Sequence, residues 1–325
     1  MTHTTRRTLL LAGLAGLSTA ALPARAQAWP SRPIRLICGY PAGSSPDMQA
    51  RLLAEPLSKA LGQPVVVENK PGAGGNIGAE LLAGANDGHS IAIIGNGPLT
   101  SSPHLYPRLR YQPARDFAPI ALVATGPLVL VTPKSLGLDS AEKWLRHAKA
   151  NGDKLAYGST GAGAGTHLGM ELLKQQLGIK ALHVPFAGAP AIINAMLGGQ
   201  IHMALLPPST VMPLVDGGKL DALLVSSARR SPLAPTLPSM EEIGVKGVNI
   251  EVWNAIMAPA SMPAAHQMRL SAELQKILNT REVRQKLLLS GWRVDDTSPK
   301  ALAQRIQADS RAYGEVITRN HIRLD

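Results

Sequence analysis

Pro64-Val65-Val66-Val67-Glu68-Asn69 followed by Lys70-Pro71-Gly72-Ala73-Gly74-Gly75-Asn76 and then Ile77-Gly78-Ala79-Glu80-Leu81-Leu82-Ala83 is the stretch that decides the fold. Its three parts read as a strand, a glycine loop and the start of a helix. The same succession surrounds it. Pro33–Cys38 reads as a strand, Gly39–Pro46 as a loop, and Asp47–Leu61 as a helix with Leu52, Leu53, Leu57 and Leu61 on its apolar face. Ser45 before Pro46 reads as an N-cap followed by proline at the first helical position, and Asp47 suits the positive end of the helix dipole. Pro56 is expected to kink or break this helix. His89–Ile94 is a third strand, ending in Gly95-Asn96-Gly97.

The alternation returns in the second half. Leu128–Thr132, Leu155–Tyr157, Leu182–Val184, His202–Leu206, Leu220–Ser226 and Val252–Ala258 read as extended. Ser140–Ala150, Thr166–Leu177 and Ala189–Leu197 read as helices, and the tail from Pro263 is helical over Ala264–Asn279, Arg281–Ser290 and Pro299–Arg319. Strands alternating with helices imply an α/β fold with largely parallel sheets. In such folds ligands lie beyond the carboxyl ends of strands, beside helix N-termini, whose free N–H groups favour an anion. Glycine loops open helices in both halves, the richest being Gly158-Ser159-Thr160-Gly161-Ala162-Gly163-Ala164-Gly165. Two such loops facing each other would clamp a small carboxylate without a charged side chain. They also read simply as tight turns between strand and helix.

Composition narrows the classes. The chain has 325 residues, 33 basic and 22 acidic, for a net charge of +11, with one Cys, 45% hydrophobic residues and 3% aromatic ones. The length suggests two domains. One cysteine excludes an intramolecular disulfide framework and any Cys-rich metal site, and Cys38 reads as a buried strand residue. Residues 1–26 read as an export signal, with Arg6-Arg7 ahead of a short apolar core and Ala24-Arg25-Ala26 as a cleavage site. Ala26-Gln27-Ala28 fits the cleavage rule equally well. Thr5–Leu10 also resembles a twin-arginine signal, with Leu9 where Phe is common. Removing Arg6, Arg7 and Arg25 leaves 30 basic against 22 acidic residues, a net of +8. No later stretch holds about 18 uninterrupted apolar residues, the length of a membrane span. The basic residues are scattered and aromatics scarce, so no nucleic-acid footprint is present.

Catalytic and cofactor signatures are weak. Gly158–Gly163 begins like a phosphate loop, but Ala164-Gly165-Thr166 follows where a Lys is needed. Gly72–Gly78 does not match the dinucleotide spacing. There is no Gly-x-Ser-x-Gly elbow, and no His or carboxylate spacing for a metal, so no cofactor or metal is expected. His167 near Ser159 and Thr166 leaves an exported hydrolase as an alternative, without an orienting acid nearby in sequence. An envelope interaction protein using its basic surface is a third.

The whole mature chain resembles the Bug-type periplasmic solute-binding receptors of tripartite tricarboxylate transporters. The resemblance is carried by Trp29–Leu36, by Leu61–Gly78 as its most specific block, and by Asp116–Ile120, Val184–Gly188, Leu197–Gln200, Gly218–Leu220 and Ser227–Pro232. It implies a type II periplasmic binding fold, with residues 27–128 plus 252–325 forming one domain, 129–251 an inserted second, and closure on the ligand by a hinge. It further implies capture of a small carboxylate for membrane transporter subunits or a sensor, by a monomer in the periplasm. The ligand contacts it implies are Tyr40, Ala42, Gly43, Ser44 and Asp47; Asn96; Ser159, Thr160, Gly161, Ala162, Gly163, Thr166 and His167; Gly188; and Pro207. Two departures stand out. Ala42 and Ser44 replace the Pro and Gly usual in the first loop. Leu205-Leu206-Pro207-Pro208-Ser209 stands where the family is rich in Asp and Asn, and the missing acid argues against a ligand with an ammonium group.

Overall fold

The computed structural model describes residues 29–231, 234–246, 250–319 and 321–322. The expected export signal and its cleavage site lie outside the described residues. The chain builds two five-stranded sheets, and each sheet with its helices forms a lobe. In the first, β1 (Ile34–Cys38), β2 (Val65–Asn69) and β3 (Ser90–Gly95) pair in parallel, and the order is completed by β10 (Glu251–Pro259) and β4 (Phe117–Pro127) as β2-β1-β3-β10-β4. In the second, β5 (Val129–Pro133), β6 (Ala156–Ser159), β7 (Leu182–Pro185), β8 (Met203–Leu206) and β9 (Leu220–Val225) take the order β7-β6-β8-β5-β9.

Both sheets are mixed, not largely parallel. In each, two pairings are parallel and two antiparallel, because one strand, β10 in the first and β5 in the second, runs against the other four. The cause is the connection between lobes. The chain leaves the first sheet along β4, enters the second along β5, and returns from β9 to β10, so each crossing donates a strand to both sheets. The long β4 was not among the expected strands. Its run Ile120–Ala124 is buried throughout. Ser226 ties the crossings together. Its Oγ accepts from Leu128 N–H at 2.8 Å and donates to Ile250 O at 2.6 Å, while its own N–H donates to Leu128 O.

The first lobe's helices are α1 (Ser45–Leu61), α2 (Asn76–Ala83), α3 (Asn96–Thr100), α4 (Ser102–Leu105) and α5 (Pro113–Asp116). The second carries α6 (Ala141–Asn151), α7 (Gly165–Leu177), α8 (Ala189–Leu197) and α9 (Pro208–Asp216). The last three, α10 (Ala264–Leu278), α11 (Arg281–Leu289) and α12 (Pro299–Arg319), follow β10, and α10 and α12 pack on β4. Among the described residues no helix is long and apolar enough to cross a membrane.

Helix α1 continues through Pro56, so the expected break does not occur there. Pro56 removes one backbone hydrogen bond. Burial of Leu53, Leu57 and Leu61 on both sides of it against the sheet offsets that loss. Its cap is also displaced by one residue. Ser44, in extended conformation, is the N-cap, and its Oγ donates to Pro41 O at 2.6 Å instead of capping the helix. Ser140 does cap α6, accepting from Lys143 N–H. Cys38 is fully buried in the first core, and burial pushes its thiol up to about 11.

The quoted stretch packs by backbone contact. A Cβ on Gly78 in α2 would stand 2.6 Å from Gly39 Cα at the end of β1. Gly78→Ala is therefore expected to destabilise the protein by about 1–3 kcal/mol through overpacking. Urea unfolding followed by circular dichroism measures it, and an unchanged midpoint would refute the close-approach role.

Candidate functional site

Between the lobes lies a cleft of about 600 Å³. The first lobe contributes Tyr40, Ser44, Ser45, Pro46, Gly74, Gly95, Asn96, Gly97, Val252, Asn254 and Trp292. The second contributes Thr160, Ala164, Gly165, Thr166, Gly188, Ala189, Pro207 and Thr210, with Leu128 at the crossing. No Asp, Glu, Lys or Arg lines it. Besides the five-residue α3 at Asn96, four longer helices begin at its wall. They are α1 at Ser45, α7 at Gly165, α8 at Ala189 and α9 after Pro207. Their first-turn N–H groups lack the partner four residues back that interior ones have, although His167 N–H turns back to Ala164 O and Thr210 N–H to Pro207 O, and their dipoles place partial positive charge at the cleft. Pro46, Pro190 and Pro208 occupy the first turns of α1, α8 and α9, where a missing N–H costs nothing.

Seven expected residues line this cleft: Tyr40, Ser44, Asn96, Thr160, Thr166, Gly188 and Pro207. The other eight are not among its lining residues, and Ala42 and Gly43 are exposed to solvent. Asp47 braces the first loop. Its carboxylate accepts from Gly43 N–H at 2.9 Å, Asn69 Nδ2 at 2.8 Å and Arg51 Nε at 3.1 Å. Burial alone would raise its pKa, but the bonds from Arg51, Asn69 and Gly43 hold it below the usual value. Asn69, from the stretch quoted first, also donates to Tyr40 O at 3.0 Å. Ala42 and Gly43 are the backbone of this braced turn.

The second loop spends its donors on itself. Thr160 N–H donates to Thr166 Oγ1 at 3.0 Å, and Gly163 N–H to His167 Nδ1 at 3.0 Å. Gly161, Ala162 and Gly163 touch the opposite lobe. Ser101 Oγ donates to Gly163 O, and Tyr106 Oη to Ala162 O at 3.1 Å. A Cβ on Gly161 would stand 2.7 Å from Gly74 Cα, and one on Gly188 would stand 2.9 Å from Pro41. The lobes therefore meet closely along these glycines.

The hydrolase alternative does not survive this geometry. Ser159 is fully buried, and its Oγ is hydrogen-bonded at 2.6 Å to His183 Nε2, not to His167. Neither Ser159 nor His167 reaches the cleft wall. His167 stacks on His183 with centroids 3.9 Å apart, and His183 stacks on Tyr157 at 5.1 Å. Tyr157 Oη donates to Glu171, which pairs with Lys174 at 2.6 Å. Burial, and then the neighbouring His183, push the His167 pKa down to about 4. The ring is neutral, and its Nδ1 is an acceptor that anchors the loop.

Sequence reasoning missed Asn254, Trp292, Thr210, Val252 and Leu128, while Ser45, Pro46, Gly95, Gly97, Ala164, Gly165 and Ala189 lay in loops and helix starts it marked without naming them as contacts. Gly74 lay within the quoted loop. Asn254 Nδ2 donates to Gln49 Oε1 at 2.9 Å, a pairing across 205 positions that no local pattern signals.

The model of the family described as the tripartite tricarboxylate transporter family receptor matches residues 49–322. BugT of Bordetella pertussis is 34% identical over 266 residues, covering 81% of each chain. Among solved structures, the periplasmic binding protein BugD superposes with a TM-score of 0.86 at 31% identity, over 91% of this chain and 99% of that one. An R. palustris protein solved with adipate superposes with a TM-score of 0.87 at 29% identity, over 91% and 99%.

The neutral His167 carries a pH dependence. The folded protein resists protonation at this ring until about pH 4, whereas the unfolded chain takes up the proton near 6.5. Unfolding thus consumes a proton between these values. The contribution, roughly 3 kcal/mol, is present in full above pH 6.5 and lost as pH falls toward 4. Urea unfolding across that range is expected to show a decline in stability that His167→Gln flattens. An equally steep decline in the variant would remove His167 as its source.

Proposed function

The chain belongs to the tripartite tricarboxylate transporter receptor family and is a Bug-type solute-binding receptor. From that premise we propose that it captures a small organic carboxylate without an amine, with the four helix N-termini at the uncharged cleft supplying the recognition. That convergence carries the reading. A carboxylate accepts hydrogen bonds from first-turn amides and is stabilised by their dipoles. An ammonium group would meet no carboxylate partner among the lining residues. The R. palustris relative solved with adipate supports the carboxylate class.

Tyr40, Ser44, Asn96, Thr160, Thr166, Gly188 and Pro207 are the proposed contact residues. Ala42, Gly43, Asp47, Ser159, Gly161, Ala162, Gly163 and His167 hold the two loops and the lobe contact in place. Residues 27–128 with 252–325 and residues 129–251 are proposed to move as two bodies, bending where Ser226 joins Leu128 to Ile250. The protein is proposed to be exported with cleavage near Ala26, and to work as a periplasmic monomer. It passes its ligand to membrane transporter subunits or to a sensor. Its net charge of +8 after cleavage raises the local concentration of anions without touching them.

The test is thermal unfolding and calorimetry on protein stripped of ligand by unfolding and refolding. Benzoate, succinate, adipate and citrate form the probe set. A true ligand at a hundredfold its Kd is expected to stabilise by about 2.7 kcal/mol. If no carboxylate shifts the melting curve, the proposal fails. A second expectation follows from the lobe contact. Gly161→Ala sets a methyl against Gly74 at a φ of +129°, so the lobes cannot close fully. Affinity for the ligand found in the first test is expected to drop at least about tenfold, or 1.4 kcal/mol. Unchanged affinity would remove the Gly161–Gly74 approach from the binding step.

A further inference from the structure

A second cavity of about 470 Å³ lies behind the cleft, among α1, the start of α9 and the end of α11. Ser45 and Trp292 border both cavities. Ser209 completes the wall between them. Its Oγ lies 2.6 Å from Ser45 Oγ and accepts from Trp292 Nε1 at 3.2 Å. The partition is thus one indole and two hydroxyls, with Ser45 and Trp292 from the first lobe and Ser209 from the second.

The two sides differ in chemistry. The cleft has no cationic side chain, whereas the rear cavity has Lys286. Gln49 also lines the rear cavity and is only 3% exposed. Its Oε1 is held by Asn254, but its Nε2 has no hydrogen-bond partner. A buried amide donor without a partner is costly, and it marks a place where an acceptor is favoured. Lys286 is paired with Glu282 at 2.7 Å, and its side chain is 56% exposed, so its ammonium retains donors for a second anion. Glu55 on α1 also feels its charge.

We propose that the Trp292–Ser209–Ser45 partition determines specificity by setting ligand length, a reading that rests on the carboxylate-receptor function above. Short acids fit wholly within the cleft. A long α,ω-dicarboxylate is excluded by the indole, although the cavity beyond already holds groups that would receive its far carboxylate, Gln49 Nε2 and Lys286 Nζ.

Calorimetric titration with succinate, adipate, suberate and sebacate tests this on wild-type protein and on Trp292→Leu, which keeps an apolar side chain at the site. Wild-type affinity is expected to fall along the series. Trp292→Leu is expected to bind sebacate at least about tenfold more tightly than wild type does. That gain should vanish when Lys286→Ala is added, while Lys286→Ala alone leaves succinate binding unchanged. If Trp292→Leu does not fold, the double variant Ser45→Ala/Ser209→Ala removes the tie on the indole and carries the same expectation. Wild-type protein that binds none of the series and neither benzoate nor citrate sinks the receptor reading, whereas binding of benzoate or citrate alone sinks the partition as a gauge of chain length. Short acids binding to wild type with no gain of sebacate in either variant sinks the partition. So does sebacate binding to wild type as tightly as succinate.

Discussion

Everything in this molecule is arranged around backbone amides that no helix can satisfy. The helices α1, α7, α8 and α9 begin at one cleft, and no charged side chain stands among its lining residues. Burying such donors without an acceptor is expensive. The site is therefore poised for an anion before any side chain is considered. Parallel strands make this convergence possible. β1, β6, β7 and β8 all end at the cleft, and each hands the chain to a loop that opens one of these helices. The strands in antiparallel pairings, β4, β5, β9 and β10, do a different job. They carry the chain between lobes, so the same sheets that aim the helices also form the connection between them.

Two kinds of support keep the amides aimed. Under the first loop, Asp47 and Asn69 gather Gly43, Arg51 and Tyr40 into one hydrogen-bonded brace. Under the second, Ser159, His167 and His183 do the same by stacking and by single hydrogen bonds to the loop. Both braces consist of polar groups that a reading for catalysis would notice first. Their bonds point into the lobes and away from the cleft, which marks them as positioning groups. A loop rich in glycine is free to take many conformations, and fixing it from behind lowers the entropy lost when a ligand binds.

The sequence disclosed the local half of this arrangement. Strand, glycine loop and helix are encoded within about twenty residues of each other, so the loops at Tyr40–Ser44, Gly74 and Thr160–Thr166, and the helices they open, were legible from spacing. What was not legible depends on distant pairing. Asn254 enters the cleft because β10 joins the first sheet beside β3, and Trp292 because Gly291 is pressed against Pro208 of the other lobe. The Ser159–His183 bond arises because β6 pairs with β7, a register no short motif announces. Pro56 shows the reverse failure, in which a valid local rule was overridden by burial on both sides of it.

The chain's basic character can now be placed. Many described acidic and basic side chains pair away from the cleft, as Arg35 does with Glu68, Lys134 with Asp221 and Arg293 with Glu251, while the cleft lining stays free of both signs. Excess positive charge thus acts at long range, where it raises the encounter rate with anions and is weakened by salt. In the proposed function, holding the anion falls to amides and dipoles between the lobes, where screening by salt is weaker than at the surface. Separating the two tasks has a chemical consequence. A lysine in the cleft would bind almost any anion that reached it, because a point charge has little directional preference. Amides fixed by two braced loops accept only an acceptor of matching shape. Selectivity in this receptor therefore rests on geometry, which is why a single indole at the end of the cleft is placed to decide which acids fit.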